Sequence, residues 1–85
     1  MKCLAHTIVH PAGLHVRPAG TLAKMVSNYD STVLLKHGGN TVKLSNVVEV
    51  ISLGIRQGEI IEIQVSGLDE DDAYYEIERF LPGNL

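Results

Sequence analysis

Aromatic residues are scarce: the chain has no tryptophan, one phenylalanine and three tyrosines. A core built on large rings is therefore excluded, and burial must come from aliphatic side chains. Apolar residues make up 45% of the 85 positions, enough for one domain with one core. Cysteine is nearly absent too. Cys3 stands alone, so no internal disulfide can form, and a reducing, cytoplasmic location is expected. Cys3 itself reads as a small strand residue. No apolar run is long enough to span a bilayer, and the first residues lack the apolar stretch of a signal peptide. A surplus of positive charge is missing as well: seven Lys and Arg against ten Asp and Glu leave a net charge of -3. Broad nucleic-acid binding, which needs cations to displace counterions, is not expected. Repeats, low-complexity tracts and linker-like charge runs are absent.

What is present is well punctuated. "KCLAHTIV", residues 2 to 9, reads as a strand and "HPAGLH" as a loop. From Pro18 the period changes: Ala19, Leu22, Ala23 and Val26 form one helical stripe. Pro18 suits a first turn, where a missing N–H costs nothing. "STVLLKH" and "NTVKL" flank Gly38-Gly39 and predict a hairpin. Asn46 can cap a short helix over 46 to 53, with Glu49 as its capping-box partner and Gly54 as its left-handed stop. That helix holds more apolar residues than one face can bury. Val50 and Leu53 are assigned to the core, and the surplus must face outward. In "EIIEIQVS", Ile61, Ile63 and Val65 alternate with Glu62, Gln64 and Ser66, as in a strand with one wet face. The last helix opens with acids, which suit its positive end, and carries Ala73, Ile77, Phe80 and Leu81 before Pro82-Gly83. The order is β-α-β-β-α-β-α: an α+β fold with a mainly antiparallel sheet and helices on one side.

"GLHVRPAG", residues 13 to 20, carries the chemistry. His15 sits at the mouth of the first helix, where the leading amides, those of Val16 and Arg17, have no intrahelical partner. With the helix dipole they make an anion site, and the forked Arg17 guanidinium matches phosphate oxygens. A neutral imidazole nitrogen there can attack phosphorus and form a phosphoramidate. Gly13 and Gly20 are expected to leave room for a partner's active site. His6, His10 and His37 show no metal-ligand spacing with Cys3 or His15; no metal or cofactor is expected, and these histidines are given no role.

Together with "SLGIRQG" at 52 to 58 and "SGLDEDDA" at 66 to 73, this stretch resembles the HPr family. These are histidine phosphocarriers of the bacterial phosphoenolpyruvate-dependent sugar phosphotransferase system. The resemblance covers nearly the whole chain. It implies an open-faced β-sandwich of four strands and three helices. It implies a phosphoryl group taken from enzyme I on the Nδ1 of His15, stabilised by Arg17, and handed to the IIA domain of a sugar transporter. The docking face it implies includes Gly20, Lys24, Val47, Val48 and Ile51. A monomer without membrane insertion is expected.

Three positions depart from the family pattern. Asn46 stands where many Gram-positive members carry a regulatory serine, and Ser45, the shifted candidate for that modification, lies one residue earlier, where the family often has lysine. Glu49 puts an acid inside the docking face, and Ala12 replaces a small polar residue. These bear on the identity of the partners. The alternatives are a regulatory HPr-like module, which docks on enzymes or transcription regulators, and a carrier in a nitrogen-type or dihydroxyacetone-type relay. A small domain binding a metabolite or metal is a further reading, but it gives no reason for His15 and Arg17 to sit together.

Overall fold

β-Prone and helix-periodic segments alternate along the chain, and a computed structural model describing residues 1–85 turns them into seven elements. These are β1 (Lys2–Thr7), α1 (Val16–Val26), β2 (Thr32–His37), β3 (Asn40–Lys43), α2 (Val47–Ser52), β4 (Ile60–Ser66) and α3 (Glu70–Phe80). The sheet order is β1-β4-β2-β3, and every neighbouring pair is antiparallel. Gly38 and Gly39 form the two-residue turn between β2 and β3, with His37 paired to Asn40.

Alternation in the sequence becomes a two-faced sheet. Ile61, Ile63 and Val65 are fully buried, and the register sets Val33 opposite Val65 and Leu35 opposite Ile63. That apolar face is covered by the three helices. Leu22 of α1 and Ile77 of α3 are completely buried over it, and Ala19, Ala23, Val26 and Ala73 complete their stripes. Fully burying each Leu or Ile contributes about 1.5–3 kcal/mol, so this one aliphatic cluster supplies the main stabilisation.

One strand end, one cap partner and two burial assignments differ from the sequence reading. β1 stops at Thr7, because the amides of Val9 and His10 bond the Leu85 carbonyl oxygen, at 2.6 and 3.2 Å. α1 begins at Val16, directly after His15, and Pro18 lies buried within its first turn as the sequence implies. Asn46 caps α2 as expected, its Oδ1 accepting from the Glu49 amide at 3.2 Å. The capping box is not closed, however, because the Asn46 amide donates to Lys43 instead. Val50 is in the core, whereas Leu53 and Phe80 are only half-buried.

Candidate functional site

The loop before α1 is clamped on both sides. The Gly13 amide donates to the His10 carbonyl at 2.9 Å, closing a tight turn. The Leu14 amide donates to the Ile55 carbonyl at 3.1 Å, and the Leu14 side chain is buried. Gly13 has φ of +70°, and a Cβ there would run into the Ile55 carbonyl and lie 3.0 Å from the Arg56 Cα. The room at Gly13 is thus occupied by the protein's own backbone, which corrects the expectation that it serves a partner. Gly20 differs: a Cβ there would meet nothing within 4 Å.

The clamped loop delivers His15 as the N-cap of α1, with extended backbone and a half-buried ring. Its carbonyl accepts from Ala19 at 3.1 Å, the first bond of the helix. Its side chain does not cap. The amides of Val16 and Arg17 have no partner within the protein, so they point outward as donors. His15, Val16 and Arg17 line one shallow concavity. The ion pairs of the protein lie elsewhere, at Met1–Glu70, Lys2–Asp71 and His37–Glu59, so the Arg17 charge is uncompensated. Unpaired amides and a free guanidinium beside an accessible imidazole suit an anion with several oxygens.

The sequence reading missed His10. Its ring centroid lies 4.6 Å from that of His15, at an interplanar angle of 35°. Four residues of turn separate the two, so no helical or strand period links them. The only signal available was the His-Pro-x-Gly turn, which folds His10 back onto the helix mouth. No three His, Cys, Asp or Glu side chains gather closely enough to hold a metal, and Cys3 is an exposed strand residue.

A second surface lies alongside. α2 packs on α1 and leaves Val48 79% exposed and Val16 66% exposed, with Val47 and Ile51 half-buried. Lys24 and Glu49 are exposed and without ion pairs. The Ser45 side chain is exposed next to the capping Asn46.

An open antiparallel sheet under three helices, with a histidine presented at the mouth of the first, defines a histidine-site α+β domain. The family pattern described as "PTS HPr component phosphorylation site" matches residues 4–82, and the chain belongs to this family, the HPr phosphocarriers of the phosphotransferase system. The fold is similar to a Mycoplasma histidine-containing phosphocarrier protein, with 30% identity and a TM-score of 0.90 over 93% of this chain and 90% of that one. It is also similar to HPr-C-His from Thermoanaerobacter tengcongensis, with 25% identity and a TM-score of 0.91 over 99% and 94%. An HPr dimer from the same organism matches at 26% identity and a TM-score of 0.68 over 94% and 98%. No helix is long and apolar enough to cross a membrane.

Proposed function

We propose that this HPr-family chain accepts a phosphoryl group on His15 from phosphorylated enzyme I and donates it to IIA domains of sugar transporters. In the first step the phosphorus–nitrogen bond of the donor phosphohistidine breaks as one forms to His15. The donor imidazole leaves with its electron pair, and the PO₃ unit moves between rings. The second step repeats this with His15 as leaving group. One observation carries the reading: an accessible imidazole at a helix mouth where the Val16 and Arg17 amides and the Arg17 guanidinium are all unpaired. These donors suit the phosphoryl oxygens, and they are arrayed openly enough for the group to leave again.

Gly20, Lys24, Val47, Val48 and Ile51 are the proposed docking face, with Lys24 supplying positive charge for acidic partners. Its exposed apolar centre at Val48 and open Gly20 support that assignment. The carrier is proposed to act as a cytoplasmic monomer, and sedimentation at working concentration tests the monomer. Asn46 offers no hydroxyl at the family serine position; Ser45 is the only proposed site for a regulatory kinase, and mass spectrometry after incubation with that kinase checks it.

The test is incubation with phosphoenolpyruvate and enzyme I, followed by assay for an acid-labile phosphohistidine. Label is expected on the wild type and absent from His15→Ala. Equal labelling of the variant removes His15 from the role.

A further inference from the structure

His10 lies outside every motif that points to the site, yet its ring packs on His15. Its Nδ1 is committed: it accepts the Ala12 amide hydrogen at 3.0 Å. An acceptor nitrogen carries a lone pair and not a proton. The neutral His10 ring therefore keeps its proton on Nε2. That Nε2–H has no partner within the protein. His10, His15, Arg17, Thr21 and Asn84 line one concavity. Two of these already donate within the protein: the Thr21 hydroxyl spends its one proton on the Arg17 carbonyl at 3.1 Å, and the Asn84 side-chain amide commits one of its two N–H groups to the Phe80 carbonyl at 2.7 Å. The side chains of that concavity that donate to nothing in the protein, apart from His15 itself, are Arg17 and His10.

We infer that His10 is a third phosphate-binding residue of this site beside Val16 and Arg17, its Nε2–H donating to an oxygen of the phosphoryl group carried by His15. The inference rests on the phosphocarrier reading of His15 and adds a residue that reading does not contain. A bond from nitrogen to a charged phosphoryl oxygen is among the stronger hydrogen bonds. Its loss exposes the phosphohistidine to faster breakdown. The turn that holds His10 is itself fixed: Ala12 bonds its ring, and Gly13 bonds its carbonyl. The donor is thus placed before the phosphoryl group arrives.

The test uses phosphoramidate, a small donor that phosphorylates histidine without enzyme I; its phosphorus–nitrogen bond breaks, ammonia leaves, and the bond to the imidazole forms. The His15 adduct is identified by its absence from His15→Ala. In the wild type, the His10 Nε2–H resonance is expected to move downfield on phosphorylation. His10→Phe, which keeps a flat ring but no donor, is expected to hydrolyse about tenfold faster. His10→Gln, which restores a donor, is expected to stay within about twofold of wild type. A wild-type half-life in His10→Phe, a His10→Gln adduct as labile as His10→Phe, or an unmoved His10 resonance in the wild type overturns the inference. The wild-type resonance needs no variant to fold. If phosphoramidate labels His15 but enzyme I does not, the carrier reading fails while the His10 bond is still measured.

Discussion

The Nδ1 of His15 lies 3.1 Å from the carbonyl oxygen of Gly13. A carbonyl can only accept, so in this contact Nδ1 carries the ring proton, and the lone pair of the neutral ring sits on Nε2. Resemblance to the family implies phosphorylation on Nδ1, and reaction there requires the ring to leave Gly13 and shift its proton. Gly13 cannot follow the ring, because its left-handed backbone is packed against Ile55 and Arg56. Nitrogen-15 spectra of the resting protein are expected to show the Nδ1–H form of the neutral ring. On phosphorylation at Nδ1 the bond to Gly13 is expected to be lost. A resting ring protonated on Nε2 contradicts this account.

Arg17 is exposed and makes no ion pair, so nothing in the fold depends on its charge. Arg17→Ala is expected to unfold at the wild-type temperature and to slow phosphoryl transfer by about 10- to 100-fold, as loss of a charge-assisted bond implies. Stopped-flow transfer from enzyme I and thermal melting check the two halves. Unchanged transfer kinetics remove Arg17 from the mechanism.

Val48 touches solvent over most of its surface. Val48→Asp is expected to change stability by no more than about 0.5 kcal/mol, the usual range for an exposed site. It is expected to raise the apparent KM for enzyme I by about tenfold with kcat unchanged, because it places charge in the centre of the docking face. Steady-state transfer assays separate the two parameters. An unchanged KM moves the docking face away from α2.

Asp69 ties the start of α3 to the entry of β2. Its carboxylate accepts from the Ser31 hydroxyl and amide and from the Asp30 amide, at 2.8 Å for Asp30 and 2.9 Å for the Ser31 amide. The Ser31 hydroxyl, then the Asp30 amide, hold its carboxyl below the ordinary value of 3.8. A depressed carboxylate contributes stability that is fully present above that ordinary value and is lost as pH falls through the lower, folded-state value. Asp69→Asn is expected to melt lower than wild type at neutral pH, with the gap closing at acid pH as the wild-type carboxyl takes up its proton. A gap that stays constant with pH assigns the effect to shape and not to charge.

Much of the fold was legible because burial leaves periodic marks. Ile61, Ile63 and Val65 alternate because one face of β4 is dry, and Leu22, Ala23 and Val26 recur because one side of α1 is. Gly38-Gly39 and Gly54 were readable since left-handed backbone selects glycine, and both Gly38 and Gly54 have positive φ. Glu49 misled for a local reason. Its spacing from Asn46 is right for a box, but the Asn46 amide had already found the Lys43 carbonyl. Gly13 misled for a distant one: the atoms that need its missing Cβ belong to Ile55 and Arg56, more than forty positions along the chain.

The sequence by itself determined the element types, the aliphatic core and the helix-mouth pairing of His15 with Arg17. Each of these is set by neighbours within a few residues, through strand alternation, helical stripes and the unpaired amides of a first turn. Only the tertiary structure decided that β1 yields Val9 and His10 to Leu85, that Ile55 clamps the loop, and that His10 lies on His15. The first two exist because the core brings the end of α3 and the turn after α2 against one loop; the third exists because the turn from His10 to Gly13, which follows no helical or strand period, folds back onto the helix mouth.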